Sequence, residues 1–215
     1  MTEDPTRTIR KDTIHVKVES GCTYVISENY FYKTDTYYHI VQSEVEGTTV
    51  VPSSAEVIEA YVVPLCLEKA KRAGIPVCSW EISYVYAPIP SIVYGLNYFS
   101  DPADYIVLNT EAAAPVVIKH ITNKLKYPFC YQKIEEGAAV ITVTAIFGRT
   151  TVDDEEIAKL ADACYRVFRM PLVNIVLVSS KYGYLLSALT PLRYSQLTKE
   201  DRRSLEATLA EDGHG

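Results

Sequence analysis

AVITVTAIFGRTTVDDEEIAKLADACYRVFRMPLVNIVLVSSKYGYLLSALT, residues 139–190, holds the clearest pattern in the chain. Its apolar run Ala139 to Phe147 stops at Gly148-Arg149, which is the length and punctuation of a strand. Asp153 followed three residues later by Glu156 is a helix-start signature. Ile157, Leu160, Ala161, Cys164, Val167 and Phe168 then recur at i, i+3, i+4, i+7, i+10 and i+11, one face of a helix. Leu172 to Val178 reads as the next strand, Lys181-Tyr182-Gly183 as a turn, and Tyr184 to Leu189 as a strand pairing back antiparallel. Strand, helix, strand and hairpin strand imply an α+β fold: a mixed sheet with antiparallel hairpins and helices packed mainly on one face.

Upstream the pattern is less regular. Asp101-Pro102 marks a turn, Tyr105 to Leu108 a buried strand, and Thr110 a cap for a helix running to about Lys124, with Pro115 in its second turn. Residues 79–100, SWEISYVYAPIPSIVYGLNYFS, read as a long connection rich in Tyr and Pro, of the kind used as a lid or packed surface loop. Ile75 to Cys78 is a short strand. Ser53 with Glu56 forms a capping box ahead of Val57, Ile58, Tyr61, Val62 and Leu65, and Pro64 predicts a kink or break before Gly74 closes the element. Thr34 or Asp35 can cap a shorter helix carrying Tyr37, Ile40, Val41 and Val45 on one stripe, with Gly47 at its end. At the front, Ile14, Val16 and Val18 alternate with His15, Lys17 and Glu19, the period of a half-buried strand, and Glu19-Ser20-Gly21 turns it into a second strand, Thr23 to Ser27. Thr198 with Asp201 opens a last amphipathic helix. These elements predict a single domain over 13–210, or two lobes, 13–125 and 126–210, between a disordered lead-in of residues 1–12 and a loose tail of residues 211–215.

The 215 residues suffice for a full core, and 48% hydrophobic with 22% charged residues is an ordinary globular composition. A net charge of -6 argues against nucleic acid or an anionic membrane as the main partner. No apolar run approaches the ~18 residues of a membrane span. The opening MTEDPTRTIRKD lacks an apolar signal core, so a cytoplasmic location is expected. The 5 cysteines contain no CxxC and read as buried reduced thiols. The 17 tyrosines outnumber 5 Phe and 1 Trp, the mark of rings with one wet edge, at a cleft, a partner surface or a self-interface in a homo-oligomer.

For chemistry, no Gly-rich loop closes on Lys-Ser or Lys-Thr, and no GxGxxG follows a strand. Zinc spacings are missing too, so no cofactor or metal is expected. The densest group of hydrogen-bonding rings lies in NYFYKTDTYYHIVQSEVEGTTVVPS, residues 29–53. There Tyr30, Tyr32, Tyr37 and Tyr38 can present phenols to a peptide or amino acid, Lys33 matching a carboxylate and Asp35 or Glu44 an amine. Glu44 or His39 is the proton-transfer group if the cleft is that of a small enzyme. The bland alternative packs Tyr37 in the core and leaves Lys33 solvated. Arg149, after Gly148 at a strand end, is an anion-binding candidate. Cys130, in YPFCYQK, reads as a buried structural thiol rather than a nucleophile paired with His39 or His120.

Tyr30-x-Tyr32, Tyr37-Tyr38, Glu44, Gly47 and Pro52-Ser53 together resemble, without a gap, the signature of the RimK-like ATP-grasp N-terminal domain family. Phe168-Arg169-Met170-Pro171-Leu172, and Leu189-Thr190-Pro191-Leu192 followed by Ser195 and Leu197, look like that family's closing segment. In place of the family's Glu-Ala-Arg stands Glu44-Val45-Glu46, an anion where the family carries a cation. The resemblance implies association with ATP-grasp ligases that join amino acids or peptides, usually as a domain fused ahead of the ligase. The two lysines and the acidic-acidic-Asn set that ATP-grasp catalysis needs are not recognisable here. The expectation is therefore a non-catalytic accessory or substrate-recognition protein, standing alone and serving a separately encoded ATP-grasp ligase.

Overall fold

The computed structural model describes residues 9, 11, 13–102, 104–181 and 183–210. The expected lead-in, apart from Ile9 and Lys11, lies outside them, as do Tyr182 of the expected turn and the tail of residues 211–215. In chain order the elements are β1 (His15–Glu19), β2 (Cys22–Ile26), α1 (Asp35–Val45), β3 (Val50–Val51), α2 (Ser54–Tyr61), α3 (Val63–Arg72), β4 (Glu81–Ser83) and β5 (Ser91–Gly95). There follow β6 (Ile106–Leu108), α4 (Ala114–Ile121), β7 (Phe129–Lys133), β8 (Val140–Ile146), α5 (Glu155–Phe168), β9 (Leu172–Ser180), β10 (Gly183–Thr190) and α6 (Lys199–Ala210). The α+β class holds, with the strands in three sheets: β1-β2-β3, which is mixed, and the antiparallel β10-β9-β8 and β4-β7-β5-β6.

The second half folds as its pattern dictates. β8, β9 and β10 form a meander in which Thr144 faces Asn174 and Asn174 faces Thr190. Between β8 and β9, α5 buries Ile157, Leu160, Ala161, Cys164 and Phe168, the predicted stripe without Val167. The cap is Asp154 rather than Asp153: its carboxylate accepts from the Glu156 and Ile157 N–H groups at 2.9 and 3.2 Å, satisfying donors that the first turn leaves open. α2, α3 and α5 all lie against β10.

The capping box forms as read, Ser53 N–H donating to Glu56 at 2.7 Å and Glu56 N–H to Ser53 Oγ at 3.2 Å. Pro64 enforces the break: α2 ends at Tyr61, Val62 is extended, and Pro64 falls in the first turn of α3, where a missing N–H does no harm. Pro115 likewise begins α4 instead of interrupting a longer helix. Ile75 to Cys78 makes only a bridge, Val77 beside Leu186, with Cys78 N–H donating to Leu186 C=O and Leu186 N–H to Pro76 C=O, each 2.9 Å.

Two expectations fail on side-chain direction and on a hidden sheet. In β1 the inward face is His15 and Lys17, both buried, while Val18 is 68% exposed. The inversion is held by the His15 ring against Tyr194 at 6.3 Å and by Lys17, whose ammonium reaches Thr208 C=O and Glu19, both at 3.4 Å. An amphipathic stem under α6 outweighs the alternation rule. Residues 79–100, taken for a long loop, contain β4 and β5, and β7 was not anticipated at all. These strands are three to five residues long, and Pro88 and Pro90 break the run before β5.

The sheets are not separate bodies. Ile92, Tyr94, Cys130 and Ile134 of the four-stranded sheet region share one buried cluster with Val143, Val176 and Leu186 of the meander. Inside it, Tyr94 O–H lies 2.6 Å from Ser187 Oγ, Ser187 Oγ donates to Gln132 Oε1 at 2.6 Å, and Gln132 Nε2 donates to Ser187 C=O at 2.8 Å. All three residues are buried, so the sheets are joined by a satisfied polar network. Among the described residues no helix is long and apolar enough to cross a membrane.

Candidate functional site

A cleft of about 1270 Å³ opens where the ends of the meander, the β2–α1 connection and the segment before β6 meet. Each strand of the meander gives one polar residue to its lining: the exposed Thr142 of β8 and the buried Asn174 of β9 and Thr190 of β10. Asn174 is fixed from both sides, accepting from Thr144 Oγ1 at 3.4 Å and donating to Pro191 C=O at 3.3 Å. Its charged lining includes Lys33, Asp35, Asp101 and Asp104, with Arg193 and Arg202 beyond β10. Arg202 is anchored by donating to Tyr194 C=O at 3.0 Å. Tyr105 closes the lining against the four-stranded sheet, its hydroxyl 3.4 Å from Thr142 Oγ1 and its ring 6.0 Å from that of Tyr94. Such a surface can hydrogen-bond a polar ligand and pair charges of both signs. Among the described residues no group of three His, Cys, Asp or Glu side chains is placed to hold a metal ion.

The sequence candidates divide. Lys33 and Asp35 line the cleft; Tyr30, Tyr32, Tyr37, Tyr38, His39, Glu44 and Arg149 do not. Tyr30 is wholly buried and accepts the Ser27 N–H on its hydroxyl at 3.0 Å, and burial holds that phenol well above its ordinary pKa. It is a core residue, not a ligand contact. Tyr38 is exposed on α1, and its ring meets Tyr37 edge-on. Glu44 accepts the Ser54 N–H at 2.8 Å and so helps start α2, away from the cleft lining. Arg149 is exposed in a tight turn closed by its bonds with Ile146. The tyrosines that do line the cleft are Tyr105 and Tyr194, so the expected ring-lined hollow is in fact a hydroxyl, amide and charge-lined one. Cys130 is buried, and burial pushes its thiol up to about 12.

Asn174, Thr190, Asp104 and Arg193 were missed. Asn174 alone had a signal: it is the one polar residue in the apolar run Leu172 to Val178, and a polar side chain in a fully buried strand demands a partner or a purpose.

One mixed and two antiparallel sheets, with helices on the meander and a polar cleft between them, make up an ATP-grasp-related fold, as comparison with solved structures shows. A RimK domain ATP-grasp protein from Sphaerobacter thermophilus superposes with a TM-score of 0.58 at 13% identity, over 79% of this chain and 73% of that one. D-alanine--D-alanine ligase from Bacillus anthracis gives 0.60 at 10% identity, over 80% and 73%. The ATP-grasp ligase PsnB, in a structure with minimal precursor, Mg and ADP, gives 0.56 at 12% identity, over 93% and 84%. No curated protein matches the chain. Residues 106–208, from β6 to near the end of α6, match the model of the RimK-like ATPgrasp N-terminal domain family. The match contains the Phe168-to-Leu197 patch singled out in the sequence; the Tyr30-to-Ser53 patch lies outside it.

Proposed function

We propose that the protein is an accessory or substrate-recognition partner of a RimK-like ATP-grasp ligase, acting in the cytoplasm, and that the cleft holds an amino-acid or peptide ligand without itself catalysing its ligation. The observation that carries this reading is the neutral polar lining of Thr142, Asn174 and Thr190. Neutral hydroxyl and amide groups bind peptide-like donors and acceptors. Acidic and basic side chains within one lining suit the two ends of a zwitterion. A structure of PsnB with precursor peptide PsnA2 and AMPPNP shows a similar fold holding a peptide, which supports the ligand class. The ligase in this reading is a separate chain.

The test is calorimetry of the purified protein against a RimK-like ligase encoded beside it and against that ligase's peptide substrate. Binding of either, weakened about tenfold by Arg193→Ala at an unchanged unfolding temperature, is the expected result, the size being that of one charge-assisted contact. Release of ADP by the protein alone, on incubation with ATP, magnesium and the peptide, would refute the non-catalytic assignment. Absence of binding to both would refute the accessory one.

A further inference from the structure

The cleft has a smaller neighbour, a cavity of about 560 Å³ in the four-stranded lobe, and the two share Asp101, Asp104 and Tyr105. The turn Asn97–Ser100 stands at this partition. Its backbone is fixed: Ser100 N–H donates to Asn97 C=O at 3.1 Å, Phe99 N–H donates to Asn97 Oδ1 at 2.8 Å, and Asn97 Nδ2 donates to Ile121 C=O at the end of α4. Facing it is a second braced turn, in which Phe31 N–H donates to Asn29 Oδ1 at 2.9 Å and Thr34 N–H to Phe31 C=O at 2.8 Å. Each turn offers rings to the other, with Tyr32 and Tyr98 6.0 Å apart.

Between them lies the Lys33 ammonium, 4.1 Å from the centre of the Tyr98 ring, 5.2 Å from Phe31 and 5.5 Å from Tyr32. Lys33 forms no ion pair among the described residues, and its side chain also lines the cleft. Tyr98 and Phe99 are 60% and 70% exposed, and the hydrogen bonds of their turn tie it to α4 and not across to residues 29–34, so the bridge between the two turns is made by the rings and the cation. We propose that Lys33 is the bolt of a latch: its ammonium, gripped by rings from both sides, fastens the four-stranded lobe across the mouth of the cleft and governs entry to it. The Tyr94–Ser187–Gln132 network lies in the shared core and stays closed while the mouth opens, which makes it the hinge end of the same lobe. The consequence for a ligand rests on the reading of the cleft given above; the latch itself does not.

The latch is tested without ligand, so its failure is distinct from a failure of the proposed function. In proton NMR the Lys33 ε-methylene is expected upfield of the other lysines, shifted by the Tyr98 ring current, and back among them in Tyr98→Leu. Chymotrypsin cleavage after Tyr98 or Phe99 is expected to be about fivefold faster in Lys33→Met, which keeps the stem and removes the charge, and near the wild-type rate in Lys33→Arg; fivefold corresponds to about 1 kcal/mol, the usual worth of an exposed cation–ring contact. A Lys33 ε-methylene that resonates with the other lysines, or a Lys33→Met protein cut no faster than wild type, overturns the proposal.

Discussion

Removing the hydroxyl of Ser187 should harm the protein more than removing that of Tyr94, although each substitution deletes a single oxygen from the same network. The order of donors explains why. Ser187 Oγ donates to Gln132 Oε1, so the hydroxyl proton between Tyr94 and Ser187 must come from Tyr94. Tyr94→Phe removes only that terminal donor and leaves the Ser187–Gln132 bonds in place, a loss of about 1 kcal/mol. Ser187→Ala strands two buried groups at once, the Tyr94 hydroxyl and Gln132 Oε1, at ~1–3 kcal/mol each, so about 3 kcal/mol in total is expected. For a chain of this length that is a fall in Tm of roughly 6–12 °C, against ~2–4 °C for Tyr94→Phe. Combining the two substitutions removes one of the stranded groups, so the double variant is expected to be more stable than Ser187→Ala alone by about 1 kcal/mol. Urea unfolding followed by far-UV circular dichroism measures all three. Equal losses in the single variants, or a double variant whose loss is the sum of both, would refute the assignment of donors and the claim that the network is dry.

Gly148 has φ +75, and a Cβ there would sit 2.7 Å from Tyr165 Cβ, whereas Gly137, at φ +79, has open space around it. Gly137→Ala is expected to cost about 1 kcal/mol of backbone strain and Gly148→Ala clearly more, about 2–3 kcal/mol, by denaturant midpoints; equal effects would count against the close approach of the turn to α5. Burial pushes the thiols of Cys78, Cys130 and Cys164 up to about 12 from an ordinary 9.0. A raised folded-state pKa means that stability is intact below pH 9 and lost as the pH climbs towards 12, because the unfolded thiol ionises first. The slope of unfolding free energy with pH across that window is expected to lessen by about 1.4 kcal/mol per unit in Cys130→Ala, and an unchanged slope would show the thiol to be wet.

Long, periodic elements were legible and short ones were not. The stripe from Ile157 to Phe168 announces α5 because it repeats one period over twelve residues, and β8 and β9, of 7 and 9 residues, show as sustained apolar runs on either side. The three residues of β4 repeat nothing, and their pairing with β7 spans some fifty positions of sequence that no local pattern encodes. β1 shows a different limit: the alternation was right and its sense was wrong, because what decides which face turns inward is α6, arriving nearly two hundred residues later. The candidate site was the least legible part. Lys33 and Asp35 were found because they sit among conspicuous tyrosines, yet none of those rings lines the cleft. The neutral polar lining of the cleft is assembled from ordinary threonines and one asparagine that become neighbours only when three strands align.

The common interior of the meander and the four-stranded sheet bears on how the chain can be divided for expression. A cut between residues 125 and 126 would take β7 from its neighbours β4 and β5 and leave Ile92 and Tyr94 in one fragment and Cys130 and Gln132 in the other, each facing solvent. Neither half would stay in solution by itself, but made together they would complement each other, so that this cut is suited to a split reporter and unsuited to isolating a module.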